Sequence, residues 1–143
     1  MKADAAEGGP KIPGERLAPA PRSRRILVVD DESDVLKLLT DLLQIEGFAV
    51  DTARTGADAL DRIEHGEYDA LLVDLRMPLV TGVELLDSIE RRDPALSRRA
   101  IFMTGDQYYG ERVALVTRPG VPLVTKPFRA EDLVHALRAV FDR

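Results

Sequence analysis

The stretch Leu71-Leu72-Val73-Asp74-Leu75-Arg76-Met77-Pro78 decides how the rest of the chain is read. Leu71, Leu72 and Val73 form a short apolar run, the pattern of a strand buried on both faces of a parallel sheet. Asp74 ends that run, and Pro78, which has no backbone donor, keeps the strand from continuing. A carboxylate at the carboxyl edge of such a strand sits where open α/β sheets place their ligand crevice. A lone strand-end Asp can equally well cap a loop, so its meaning depends on what the other strands carry.

Upstream, Ile26-Leu27-Val28-Val29 is a run of the same kind and ends in Asp30-Asp31-Glu32. A helix should follow, with Val35, Leu38, Leu39 and Leu42 on one stripe and Gly47 as its stop. Phe48 to Thr52 reads as a second, shorter strand. Thr55 can cap the next helix, in which Ala57, Leu60 and Ile63 point inward and Gly66 ends the run. Downstream of Asp74, Gly82 opens a helix with Val83, Leu86 and Ile89 inward, and Asp93-Pro94 breaks it. Ala100 to Met103 is a fourth strand, closing on Thr104-Gly105-Asp106. Tyr109 to Thr117 is expected as a fourth helix, short because Gly110, Val113, Val116 and Thr117 are poor helix formers. Val121 to Thr125 reads as strand five and Lys126-Pro127-Phe128 as a turn. Residues 130–142 read as a last helix with Leu133, Leu137, Val140 and Phe141 inward. Five strands alternating with five helices predict an α/β domain whose parallel sheet is covered on both faces.

At 143 residues, 45% hydrophobic and 31% charged, the chain has room for one domain with a proper core. Residues 1–23 hold Pro10, Pro13, Pro19, Pro21, Gly8, Gly9 and Gly14 and almost nothing large and apolar. They are expected to form a disordered tail, with the domain spanning residues 24–143. The absence of cysteine excludes disulfides and thiolate metal sites and suits a reducing, cytoplasmic compartment. No apolar run approaches membrane-spanning length, and the first residues lack the apolar core of a signal peptide. The formal net charge of −5 is uneven, basic over the first 25 residues and acidic beyond them. The acidic body argues against a nucleic-acid surface, and the basic tail reads as a solvated arm.

The strand ends carry the chemistry: Asp30 and Asp31 on the first, Asp74 on the third, Thr104 on the fourth and Lys126 on the fifth. In a doubly wound sheet these ends share one edge. Carboxylates about 4 Å apart repel by roughly 4 kcal/mol at an effective dielectric near 20, so such a cluster needs protonation or a cation. An all-oxygen set completed by a loop carbonyl and waters suits Mg²⁺. Lys126 and Thr104 beside it would stabilise charge on a transferring phosphoryl group, leaving Asp74 as its acceptor.

With these residues in order, residues 24–143 resemble the receiver domain of two-component response regulators. The resemblance rests on the acidic pair, on Asp74 in DLRMP, on Gly82 eight residues later, on Thr104 and on Lys126-Pro127-Phe128. It implies a flavodoxin-like, doubly wound five-stranded parallel sheet in the order 2-1-3-4-5. It also implies that Asp31, Asp74 and the carbonyl of Arg76 ligate Mg²⁺ directly and Asp30 through water. Asp74 would accept phosphate from the phosphohistidine of a sensor histidine kinase or a histidine phosphotransfer protein, or from a small acyl phosphate. Lys126 would contact the phosphoryl group, Thr104 would move to bind it, and the Lys126–Pro127 bond would be cis. Signalling would pass to a downstream protein through the fourth helix, fifth strand and fifth helix, with a homodimer left open and no nucleic acid or membrane contacted. Because the sequence ends with the last helix, a stand-alone receiver is expected.

Some positions depart from the family. Leu123 stands where an aromatic or His usually reports phosphorylation; Tyr108 and Tyr109 read first as two partly exposed loop tyrosines, with one of them filling the space beside Thr104 as the alternative. Arg76 and Asp106 are expected to rim the site and set the lifetime of the acyl phosphate. Leu79-Val80-Thr81 replaces the more usual Gly-Met-Asp and is expected to touch the kinase. His65 and His135 are not read as phosphotransfer groups, and Arg129 is a poor residue at a helix cap. Two rivals remain: an aspartyl phosphatase of the haloacid dehalogenase type, and a pseudo-receiver that takes no phosphate. The phosphatase wants a second acid where Arg76 stands, and the five polar groups argue against the pseudo-receiver.

Overall fold

Side chains alternate between the two faces of a strand, and here both faces are apolar. The computed structural model describes residues 23–105 and 120–143. The expected tail up to residue 22, the expected fourth helix, and Asp106, Tyr108 and Tyr109 lie outside them. Five strands form one parallel sheet: β1 (Arg25–Val29), β2 (Ala49–Ala53), β3 (Ala70–Asp74), β4 (Ala100–Thr104) and β5 (Leu123–Thr125), in the order β2-β1-β3-β4-β5. This is the order expected.

Ile26, Val28, Leu72, Ile101 and Met103 face one side and pack with α1 (Ser33–Ile45) and α5 (Ala130–Phe141). Leu27, Val29, Leu71, Val73 and Phe102 face the other and pack with α2 (Gly56–His65), α3 (Gly82–Arg92) and the one-turn α4 (Pro94–Ser97). Every residue from Ile26 to Val29 and from Ala70 to Val73 is fully buried, so a polar substitution has no open face to occupy.

The helix boundaries follow local chemistry. Thr55 accepts a hydrogen bond from the Asp58 amide at 3.0 Å and caps α2. Gly82 opens α3 as expected, and Thr81 caps it in a reciprocal box with Glu84, whose carboxylate this bonding holds below its usual range. Asp93 ends α3 as expected, but its side chain also accepts from the Leu96 amide at 3.1 Å and starts α4, a helix the sequence reading did not anticipate. Gly47, at φ +96°, closes α1: its amide reaches the Gln44 carbonyl at 3.0 Å while the Phe48 amide reaches Leu43 at 3.1 Å. Arg129 precedes α5 without a side-chain cap.

The apolar stripe of α1 is shifted from the expected one. Leu36, Leu39 and Leu43 are buried, Val35 and Leu42 pack at the margin, and Leu38 is 48% exposed. In α2 the buried residues are Gly56 and Ala59, with Leu60 and Ile63 at the margin and Ala57 outside. Leucines on five positions of α1 leave its periodicity ambiguous, and only docking on the sheet chooses the face. Leu39→Ala should therefore cost about 2–5 kcal/mol in urea denaturation, and Leu38→Ala less than about 1 kcal/mol.

Candidate functional site

All five strands run the same way, so their carboxyl ends lie along one edge, with the change of winding direction between β1 and β3. Asp30 leaves β1 at that point, fully buried, its amide donating to the Ala53 carbonyl at 3.1 Å. Asp74 closes β3 and is 5% exposed. Thr104 closes β4, one residue past Met103, which pairs with Asp74, and is buried. The Lys126 amide, after β5, donates to the Thr104 carbonyl at 2.8 Å, and the Lys126–Pro127 bond is cis, as expected.

The Lys126 side chain crosses the end of β4 to reach the acids. Its Nζ lies 2.9 Å from Asp30 Oδ2, 3.4 Å from Asp74 Oδ2 and 3.5 Å from Glu32 Oε1. Asp30, Asp31 and Asp74 each offer a carboxylate oxygen, and these oxygens lie within 4.8 Å of one another. Hard oxygen donors at such mutual distances fit a small divalent cation such as Mg²⁺, whose octahedral shell these residues and a few waters would complete.

The charges are unevenly settled. Burial, together with the nearby Asp30 charge, pushes Asp74 up to about 6, although the Arg76 amide at 3.2 Å and the Lys126 ammonium pull the other way. Burial disfavours the charge on Lys126, but its bond to Asp30 and the fields of Asp74, Asp30 and Glu32 outweigh that and raise its pKa. Among the described residues four acids face one ammonium, so their cluster keeps a net negative charge that a divalent ion would offset.

The sequence matches the family model of the response regulator receiver domain over residues 26–138. The chain is a response regulator receiver domain. It is similar to a probable transcriptional regulatory protein, TcrX, of Mycobacterium tuberculosis, with 30% identity over 118 residues covering 82% of this chain and 50% of that protein. It thus spans about half the length of the curated relatives it matches. Its fold is similar to a receiver domain protein from Clostridium thermocellum, with a TM-score of 0.74, 29% identity and coverage of 84% and 95%. It is also similar to the response regulator TrrA of Thermotoga maritima in complex with Mg²⁺ and BeF, with a TM-score of 0.69, 30% identity and coverage of 82% and 98%.

In this receiver the loop after Asp74 is built around one close approach. A Cβ on Gly82 would stand 2.5 Å from the Asp74 carbonyl oxygen, and the Gly82 amide donates to the Leu75 carbonyl at 3.0 Å. The absent side chain lets α3 begin directly behind Asp74. Between them the Val80 amide reaches back to the Pro78 carbonyl at 2.8 Å, forcing Leu79 to φ +73° with its side chain 99% exposed. Val80 packs instead against the core beside α3. Leu123 pairs with Phe102 and lies half-buried in the same core. His65 ends α2, at the opposite edge of the sheet, where its bond to the Asp61 carbonyl raises its pKa, and His135 is exposed on α5.

Two participants escaped the sequence reading. Glu32 joins the Lys126 cluster, and Arg54, past the end of β2, donates to the Asp31 carbonyl at 3.2 Å. The run Asp30-Asp31-Glu32 held the signal for the first; nothing in the sequence marks the second.

Asp74 in the folded chain holds its proton more tightly than an unfolded Asp does. Stability from this group is therefore full at pH below the ordinary carboxylate range and lost as pH rises through about 6. In EDTA at pH 7.5, Asp74→Asn should be more stable than the parent by about 1–3 kcal/mol, with the difference closing as pH falls towards 4. Chemical denaturation across that range checks both. Gly82→Ala should cost about 1–3 kcal/mol in the same assay, because backbone rather than a flexible side chain stands in the way.

Proposed function

We propose that Asp74 accepts a phosphoryl group from the phosphohistidine of a sensor histidine kinase or histidine phosphotransfer protein, in a Mg²⁺-dependent reaction in the cytoplasm. The observation that carries this reading is one nearly buried carboxylate that shares its edge of the sheet with two further acids and an ammonium 3.4 Å away. An oxygen of the Asp74 carboxylate attacks phosphorus. The new O–P bond forms as the N–P bond of the donor breaks, and the electron pair returns to the donor imidazole. Lys126 holds charge on the transferring group, and the Thr104 hydroxyl donates to one of its oxygens. Asp31, Asp74, the Arg76 carbonyl and, through water, Asp30 would hold Mg²⁺, which supplies charge neutralisation at the phosphoryl oxygens when bound.

The protein is an acceptor labelled once per site, with slow loss of the acyl phosphate, rather than a turnover enzyme. That TrrA was solved in complex with Mg²⁺ and BeF supports the reading that a receiver of this fold takes a divalent metal and a phosphoryl-like group. Output is proposed to pass to a protein partner through β5, α5 and the segment between β4 and β5. The relatives named as transcriptional regulators are about twice as long, and this receiver would act on such an effector by protein contact.

Acetyl phosphate with Mg²⁺ should add one phosphoryl mass to the intact chain. EDTA or Asp74→Asn should abolish it, and Lys126→Ala should slow it by about 10²–10³-fold. Labelling of Asp74→Asn at the parent's rate would refute the assignment.

A further inference from the structure

Four carboxylates crowd this site, and the proposed chemistry uses three. Glu32 stands at the cap position of α1, yet its side chain makes no capping hydrogen bond. Its amide donates to Asp30 Oδ1 at 3.0 Å, which pins the backbone, and its carboxylate turns to Lys126 Nζ at 3.5 Å. Glu32 is 63% exposed and Lys126 only 17%, so Glu32 holds the ammonium from the solvent side while Asp30 and Asp74 hold it from within.

We infer that Glu32 is a positioning residue that tethers the Lys126 ammonium at the mouth of the site and releases it when a phosphoryl group arrives. This rests on the phosphoacceptor reading. Asp30 and Asp74 would share their charge with a divalent ion, and so lose part of their pull on Lys126. Glu32, outside the three-acid cluster, keeps its full charge and becomes the main competitor for the ammonium. A phosphoryl group carries close to two negative charges and three acceptor oxygens, enough to displace a solvated carboxylate. Breaking the tether therefore opposes phosphorylation, and the opposition is modest because the pair is half in water.

Beryllofluoride affinity at saturating Mg²⁺ tests this on the full chain, comparing the parent, Glu32→Gln, Lys126→Met and the double variant. Glu32→Gln should bind beryllofluoride about two- to fivefold more tightly than the parent. It should also shift the Lys126 ammonium resonance in ¹⁵N NMR before any beryllofluoride is added. In the Lys126→Met background the gain should vanish. Equal affinity of Glu32→Gln and parent overturns the proposal, as does an undiminished gain in the Lys126→Met background, which would mean a general charge effect. A parent chain that binds no beryllofluoride and takes no phosphate from acetyl phosphate refutes instead the phosphoacceptor reading beneath it.

Discussion

Asp30 and Asp74, buried at neighbouring strand tips, repel each other, and the Lys126 ammonium is what lets both remain there. Each carboxylate left water to take up that position, and a single cation shared among several acids does not cancel the cost. The remaining strain shows on Asp74, whose proton is held up to about 6. A carboxylate that is uncomfortable as a bare anion is one for which a bound cation or a proton brings relief. The electrostatic tension thus marks this end of the sheet as the place where a cation would bind most favourably.

The scaffold's task is to hold that tension still. Apolar side chains on both faces lock β1, β3 and β4, so the tips of those strands have little freedom. The Leu75 amide bonds the Met103 carbonyl at 2.9 Å and the Lys126 amide bonds Thr104, so the residues leaving the sheet stay aligned beyond its last pair. Behind Asp74, Gly82 lets α3 close against that residue's own carbonyl. The turn at Leu79 is where the chain absorbs this tightness, in a backbone region that branched or bulky residues rarely adopt.

Leu123 and Glu32 shape the site of this receiver in different ways. Leu123 is packed into the core beside Phe102 with no polar tip to rotate towards solvent or Thr104. Glu32 brings a fourth acid to a site that already has three, and does so by giving up the capping role its place on α1 would suit. One removes a reporter group from the path to the surface; the other adds a charge at the entrance.

Alternating apolar runs ending in Asp30, Asp74, Thr104 and Lys126, separated by helix-length segments with Thr55, Gly47 and Asp93 as punctuation, were enough to determine the strands and the edge where the polar groups collect; the strand order came only with the resemblance to receiver domains. Those signals are local and repeat with fixed periods, so a linear reading captures them. The tertiary structure alone decided which side of leucine-rich α1 meets the sheet, that Thr81 and Asp93 act as caps for α3 and α4, and that Glu32 turns to Lys126 rather than to its own helix. Each of these is a choice between near-equal local options, settled by neighbours that arrive from distant parts of the chain. Ninety-four residues separate Glu32 from Lys126, and no periodicity spans that interval.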